Sequence, residues 1–309
     1  MKALITSVPM LGIIEDLRHL FDKRGIGIHC PDVVQSLSEQ ELVRLVPTFD
    51  GWIFGDDPVT SDVLQAGKAG VLKAAVKWGI GVDNVDFSTA EKLAIPVANT
   101  PNMFGPEVAD IAMSYVTALA REIYIIDREV RQGKWPKRRG ISLSAKTVGV
   151  IGFGNIGQNT AIRLLAAGMN VIAYDPVFEP TKGTERVQPQ PWPERIGDCD
   201  FLVFTCPLNK QTRHMLNSET LANTKHGVRV VNVSRGAVID ESALVVALRN
   251  GKVHSAALEV FENEPLAMSS PLRQFDSCIF GSHNASNTSE AVRRTSERAM
   301  SILFELLGI

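Results

Sequence analysis

Three glycines and one aspartate near the middle of the chain have the spacing of a dinucleotide-binding unit. Gly152, Gly154 and Gly157 follow a short apolar run that is typical of a buried parallel strand. In such a unit the first glycine permits a tight turn, the second lets the backbone approach a pyrophosphate, and the third lets a helix pack against the strand. Asp175 ends the next apolar run, about 20 residues further on, where a carboxylate accepts hydrogen bonds from ribose hydroxyls and repels a 2′-phosphate. The pattern therefore predicts NAD as the cofactor and disfavours NADP.

A guanidinium, a carboxylate and an imidazole each follow an apolar run in the second half of the chain. These side chains belong to Arg235, Glu264 and His283. The carboxyl ends of parallel strands meet at one edge of a sheet, which is where ligands bind in such folds. Each residue alone could be a surface ion-pair former or an ordinary loop side chain. Together they predict a site at that edge.

Apolar runs of strand length alternate with helical patterns along the chain, and this rhythm predicts an α/β fold. We expect two Rossmann-like domains whose parallel sheets are flanked by helices, because 309 residues are long for a single core. The strands are predicted at residues 3–5, 51–54, 72–76, 96–98, 148–151, 171–174, 201–205, 229–233, 255–257 and 278–280. Besides the helix after the glycines, helices are predicted at 13–23, 61–69, 106–129 and 289–307.

The composition argues against several classes of partner. A formal net charge of −2 gives no electrostatic reason to expect nucleic acid or an anionic membrane. The chain has no apolar run of membrane length, and its start lacks a signal-type cleavage pattern. The six histidines and four cysteines show no metal-ligand spacing, so we expect no bound metal. Reduced thiols and the absence of a signal predict a cytoplasmic protein.

The motifs of the chain, taken in order, resemble those of the D-isomer-specific 2-hydroxyacid dehydrogenase family. The resemblance covers nearly the whole chain and rests on Gly79-Ile80-Gly81-Val82-Asp83-Asn84-Val85-Asp86, Asn99-Thr100-Pro101, the glycine unit, Cys206-Pro207-Leu208, Ser234-Arg235-Gly236, and Val260-Phe261 with Glu264-Pro265. Within the family the chain is most similar to the catalytic portion of the phosphoglycerate dehydrogenases, without the regulatory extension that many of them carry. The resemblance implies an NAD-dependent oxidoreductase that transfers a hydride between nicotinamide and C2 of a D-2-hydroxy acid or the matching 2-oxo acid.

The resemblance also assigns roles to the three polar side chains. Arg235 would bind the substrate carboxylate and polarise the oxygen on C2, two tasks that suit a rigid fork of donors. His283 would take the hydroxyl proton as the hydride leaves, and would return it in the reverse direction. Glu264, hydrogen-bonded to His283, would favour the protonated imidazole.

Further contacts are implied for the cofactor and the substrate. NAD would be contacted by the three glycines and Asp175, together with Asn155, Ile156, Cys206, Val233, Glu259 and Ile80. The substrate would be held by Arg235, by Lys77, and by backbone amides around Trp78, Gly79 and Ile80. The family usually has Asp at the position of Glu259, where the acid contacts the nicotinamide end of the cofactor. We therefore expect Glu259 to weaken cofactor binding modestly.

The implied domain organisation is discontinuous. Residues 1–98 and 286–309 would form a flavodoxin-like substrate-binding domain, and residues 99–285 would form the NAD-binding Rossmann domain. The long helix that begins near Pro106 is the usual dimer contact of the family, so we expect a homodimer.

The segment around Lys77 bears on the choice of substrate. Phosphoglycerate enzymes place an Arg after the strand predicted at 51–54, where this chain has Gly55, Asp56 and Asp57, and Lys77 stands in place of a second Arg. Two carboxylates would repel a dianionic phosphate, which favours a substrate with a smaller or uncharged tail. Two alternatives stay open: a glyoxylate or hydroxypyruvate type of reductase, and a non-catalytic protein that senses NAD and recruits partners.

Overall fold

The chain, described here by a computed structural model of residues 1–309, divides into two compact units. Unit 1 comprises Met1–Met103 and Asn287–Ile309, and unit 2 comprises Phe104–Ser286. Each unit is built on one parallel β-sheet flanked by helices. This architecture confirms the predicted α/β class.

Unit 1 contains a five-stranded sheet in which every strand pair is parallel. Its strands are β1 (Lys2–Ile5), β2 (Gly27–His29), β3 (Gly51–Phe54), β4 (Ala74–Lys77) and β5 (Val97–Asn99). They lie in the order β2-β1-β3-β4-β5, which is the order of flavodoxin-like folds. The helices of this unit are α1 (Val8–Leu11), α2 (Ile14–Asp22), α3 (Glu39–Leu45), α4 (Ser61–Ala69), α5 (Phe87–Lys92) and the last helix of the chain (Ser289–Leu307).

Unit 2 contains a seven-stranded parallel sheet. Its strands are β6 (Thr147–Ile151), β7 (Asn170–Tyr174), β8 (Gln188–Pro189), β9 (Phe201–Phe204), β10 (Val228–Asn232), β11 (Val253–Leu258) and β12 (Cys278–Phe280). The sheet order is β12-β11-β10-β9-β6-β7-β8, so the winding direction reverses between β6 and β9. Open α/β sheets bind ligands outside the carboxyl ends of their strands at such a reversal. The helices of unit 2 are α6 (Gly105–Arg121), α7 (Ile123–Arg131), α8 (Asn155–Ala166), α9 (Ser218–Asn223) and α10 (Glu241–Arg249). The last helix of the chain, Ser289–Leu307 in unit 1, is α11.

The predicted strands are all present, with ends that differ from the prediction by at most two residues. The prediction missed β2 and β8, two short edge strands that have no fully buried residue. Such a strand lacks the apolar run on which sequence reasoning depends. Helices α4 and α11 have the predicted bounds.

The prediction of one helix over 106–129 is wrong. The chain forms two helices, α6 and α7, separated by Glu122 in the left-handed conformation with φ 53°. The carbonyl of Ala120 accepts a hydrogen bond of 2.8 Å from the amide of Ile141, so the last turn of α6 is satisfied by a distant part of the chain. The Glu122 carboxylate pairs with Arg138 at 2.9 Å, which fixes the residue at the break. Both contacts are tertiary and leave no local trace in the sequence.

Candidate active site

The glycine unit forms the turn between β6 and α8. Gly152 has φ 91°, and a Cβ there would lie 2.6 Å from the backbone of Cys206. A Cβ at Gly157 would lie 2.1 Å from the carbonyl oxygen of Gly152, so only glycine allows α8 to pack this closely. A Cβ at Gly154 would meet nothing within 4 Å, which leaves open space where a pyrophosphate would approach the backbone.

The first turn of α8 supplies amides rather than side chains to this space. Asn155 and Ile156 are its first residues, and the first N–H groups of a helix have no intrahelical acceptor. The Asn155 side-chain oxygen is directed elsewhere, since a Cβ at Gly105 of α6 would lie 2.2 Å from it. An open glycine backed by free helix amides fits a dinucleotide phosphate.

Asp175 lies beside the glycine turn, as the fingerprint requires. It follows β7, and its carboxylate accepts hydrogen bonds from the amide of Phe153 at 2.5 Å and from the amide of Val177 at 2.8 Å. The carboxylate is therefore oriented by the same turn that would receive the pyrophosphate. Cys206 and Val233 follow β9 and β10 and are both buried. Burial raises the pKa of the Cys206 thiol to about 12, so this residue contributes an uncharged surface.

Arg235 is presented by a short loop after β10. Asn232, at the end of that strand, is buried and donates from Nδ2 to the carbonyl of Arg235 at 2.9 Å. Its Oδ1 accepts from the amide and hydroxyl of Ser234 at 3.0 and 2.8 Å. A Cβ at Gly236 would lie 1.8 Å from the backbone carbon of Phe261, so the loops after β10 and β11 touch there. The role of Asn232 in holding this loop was not predicted from the sequence. The only signal for that role is its position as the last residue of β10, directly before Val233 and the Ser-Arg-Gly motif.

Glu264 and His283 form the predicted hydrogen bond. Glu264 Oε2 lies 2.8 Å from His283 Nδ1, while its Oε1 accepts from the amide of Phe261 at 2.9 Å. The two side chains are 21% and 26% exposed, so the pair is partly shielded from water but open to a ligand. Strands β10, β11 and β12 are neighbours in the sheet, and their loops bring Arg235, Glu264 and His283 to one edge.

Glu259 follows β11 but is enclosed within unit 2, with 3% of its surface exposed. Its two carboxyl oxygens accept hydrogen bonds from the hydroxyl of Tyr115 and from the amide of Asn284. Neither partner was predicted, because each depends on a contact between segments that are far apart in the chain.

The predicted substrate segment of unit 1 begins at the end of β4. The Lys77 ammonium is 3% exposed and donates to the carbonyl of Gly55 at 2.5 Å and to Asp56 Oδ1 at 3.0 Å. Asp57, by contrast, is fully buried, and its carboxyl accepts hydrogen bonds from Thr6, Leu37 and Gly55. Burial raises the pKa of the Asp57 carboxyl. The expectation that two carboxylates face a ligand is therefore wrong for Asp57, and only Asp56 remains beside Lys77.

Three backbone amides of this segment were predicted to hold the substrate carboxylate. The amide of Trp78 donates to the carbonyl of Phe54 at 2.8 Å, and the amide of Gly79 donates to Thr100 Oγ1 at 2.9 Å. These two amides are thus engaged within unit 1, which departs from the expectation. Ile80, whose side chain is exposed, is the remaining member of the set.

Comparison with known proteins places the chain in a family. Residues 113–285 match the family described as D-isomer specific 2-hydroxyacid dehydrogenase, NAD binding domain. A hydroxypyruvate reductase of Thermotoga maritima is 39% identical over 280 residues, which cover 89% of this chain and 90% of that protein. A D-3-phosphoglycerate dehydrogenase of Archaeoglobus fulgidus is 35% identical over 90% of this chain, and the matched part is 53% of that protein. The chain thus spans about half the length of that relative.

A solved structure of the same fold supports this assignment. The apo-structure of D-lactate dehydrogenase from Escherichia coli superimposes with a TM-score of 0.83 at 27% identity, covering 100% of this chain and 97% of that one. The chain belongs to the D-isomer-specific 2-hydroxyacid dehydrogenase family, whose cofactor is NAD. Unit 2 therefore carries the NAD-binding domain of an oxidoreductase. No helix in either unit of the chain combines the length and the apolar character that a membrane span requires.

Proposed function

We propose that the protein reduces a small 2-oxo acid to the D-2-hydroxy acid with NADH, and catalyses the reverse oxidation. The observation that carries this proposal is the His283–Glu264 hydrogen bond of 2.8 Å at the sheet edge that also presents Arg235. When bound, the cofactor would supply the hydride as NADH in the reduction and would accept it as NAD in the oxidation. The residues of the chain supply the proton, the charge that holds the substrate, and the orientation of both.

His283 is the proposed general acid in the direction of reduction. Its Nδ1 faces Glu264, so the proton given to the oxygen on C2 would come from Nε2. The carboxylate stabilises the charged imidazole before transfer and holds the ring in place. Arg235 binds the substrate carboxylate and polarises the C2 oxygen, with its loop held by Asn232.

The proposed NAD site is formed by Gly152, Gly154 and Gly157, the first amides of α8 at Asn155 and Ile156, and Asp175, with Cys206, Val233 and Ile80 as further contacts. The geometry of the glycine turn supports the first group. The two proposed domains are residues 99–285 for NAD, and 1–98 with 286–309 for the substrate.

We propose that the substrate tail carries no phosphate. The segment Lys77–Ile80 is the proposed substrate-binding segment of unit 1. The one cation of this segment, Lys77, is already paired with Asp56 and the Gly55 carbonyl. A dianionic phosphate would have to compete with a carboxylate that is in place before it arrives. Hydroxypyruvate, glyoxylate and pyruvate lack this conflict.

We further propose a homodimer in the cytoplasm. Helix α7 has no buried residue although it is amphipathic, and Ile123, Val130 and the nearby Trp135 are exposed. Apolar side chains in such a patch favour a protein partner. All four cysteines are free thiols, and three are buried, which fits a reducing compartment.

The test is a steady-state panel of glyoxylate, hydroxypyruvate, pyruvate and phosphohydroxypyruvate with NADH. We expect turnover with NADH and the highest kcat/KM with an unphosphorylated acid. If phosphohydroxypyruvate has the highest kcat/KM, the proposal that the substrate tail carries no phosphate is refuted. Tight NADH binding without turnover of any acid would instead favour an NAD-sensing interaction protein.

A further inference from the structure

The turn that carries His283 has an unusual backbone. His283 is the third residue after β12 and has φ 56°, in the left-handed region that a residue with a side chain rarely adopts. Such a conformation persists where the surrounding contacts determine it. The orientation of the imidazole therefore depends on whatever holds this turn.

Glu259 holds the turn with both its main chain and its side chain. The amide of His283 donates to the carbonyl of Glu259 at 2.8 Å. The next amide, that of Asn284, donates to Glu259 Oε1. A Cβ at Gly281 would lie 2.0 Å from Glu259 Oε2, so the absence of a side chain at Gly281 leaves room for the carboxyl beneath the turn.

Tyr115 fixes the other oxygen of the same carboxyl. Its hydroxyl, from the middle of α6, donates to Glu259 Oε2. Burial and this hydrogen bond both raise the pKa of the Tyr115 hydroxyl, which stays protonated and so remains a donor. Helix α6 is itself anchored by buried side chains at Ala112, Val116 and Leu119.

We propose that Tyr115 and Glu259 are a positioning pair that sets the orientation of His283 toward the reacting carbon. The hydroxyl on α6 orients the carboxyl, and the carboxyl holds the amide next to the imidazole. Both oxygens of the Glu259 carboxyl are thereby committed to α6 and to the turn after β12. The catalytic consequence rests on the proposed function, whereas the hydrogen bonds that link Tyr115 through Glu259 to the turn do not.

The test compares Tyr115→Phe with a matched control, Tyr124→Phe. Tyr124, on α7, donates its hydroxyl to the carbonyl of Ser277 at 2.9 Å, just before β12 begins. Each substitution removes one hydroxyl hydrogen bond from a helix to this part of the sheet: Tyr115 bonds Glu259 just after β11, and Tyr124 bonds Ser277 just before β12. We expect Tyr115→Phe to lower kcat by about 10- to 100-fold, because small misplacements of a catalytic group have effects of this size. We expect the NADH Kd to stay unchanged, and we expect Tyr124→Phe to leave kcat unchanged.

Amide hydrogen exchange gives a readout that does not need turnover. Tyr115→Phe should speed exchange in segment 281–285, and Tyr124→Phe should not. Equal exchange in this segment for Tyr115→Phe and the wild type overturns the positioning pair, even in a protein that reduces no 2-oxo acid.

Glu259→Gln separates positioning from cofactor binding. We expect kcat to fall with the NADH Kd retained, and we expect the double variant with Tyr115→Phe to lose no more than the larger single loss, because the two residues act as one unit. A weaker NADH Kd with unchanged kcat would make Glu259 a cofactor ligand and overturn the proposal.

Discussion

The pairing of Lys77 with Asp56 makes a sharp prediction about substrate choice. Asp56→Asn removes one negative charge from the site 3.0 Å from the Lys77 ammonium and leaves a neutral oxygen that can still accept its hydrogen bond. Lys77 is almost fully enclosed, so it cannot turn away to solvent. Its charge then becomes available to an anionic tail.

The size of the effect follows from the surroundings of the pair. A hydrogen bond to a charged group contributes about 1.5–3 kcal/mol. Because Asp56 is 39% exposed, solvent screening reduces this value, and we take about 1.4 kcal/mol. This corresponds to a gain of about tenfold in kcat/KM for phosphohydroxypyruvate relative to hydroxypyruvate.

The assay is a competition between the two acids at fixed NADH, with Asp50→Asn as the control. Asp50 pairs with Lys73 at 2.8 Å, also in unit 1, and is not among the predicted site residues. The control should leave the ratio of the two kcat/KM values unchanged. If Asp56→Asn also leaves that ratio unchanged, Lys77 does not contact the substrate tail.

Three further predictions concern the catalytic pair, the cofactor and the thiols. Glu264→Gln removes the negative charge beside His283. A hydrogen bond to a charged group contributes about 1.5–3 kcal/mol, and we take the lower end because both side chains are partly exposed. This predicts that kcat in steady-state assays falls by about tenfold. An unaltered kcat would contradict the role of the carboxylate. Asp175→Ala should reduce the preference for NADH over NADPH in kcat/KM, and an identical preference would remove this residue from ribose recognition. Burial raises the pKa values of Cys199 and Cys278 to about 11 and that of Cys206 to about 12, so these thiols are protonated near neutral pH. A thiol reagent should modify at most Cys30 in the native protein and all four cysteines after denaturation; rapid native labelling of more than one would show that the core opens.

Local signals account for the parts of the fold that were predicted correctly. The glycine turn, the strand before it and the acid after the next strand lie within one contiguous stretch, so their order alone indicates their arrangement. The bounds of α11 were predictable because a Thr cap begins it and a Gly in the left-handed conformation ends it. The hydrogen bond between Glu264 and His283 was expected from the family resemblance and is present.

Long-range contacts account for the parts that could not be predicted. The break between α6 and α7 depends on a hydrogen bond from the amide of Ile141 to the carbonyl of Ala120. Ile141 lies well beyond Arg121, the last residue of α6. Tyr115 and Glu259 are 144 residues apart in the sequence. The neutralisation of Lys77 by Asp56 and the burial of Asp57 depend on how β3 and β4 pair. Patterns along the chain show which residues are polar, but not which of them satisfy one another.

The most direct test of the proposed chemistry is a single-turnover experiment with His283→Asn beside the wild type. Enzyme with bound NADH is mixed with hydroxypyruvate, NADH oxidation is followed, and the configuration of the product is determined. The wild type should convert NADH stoichiometrically into NAD and yield the D-2-hydroxy acid. The variant should bind NADH with the same Kd and oxidise it far more slowly. Equal rates for the two proteins would contradict proton transfer by His283 at this site, and an L-product from the wild type would contradict the proposed D-specificity.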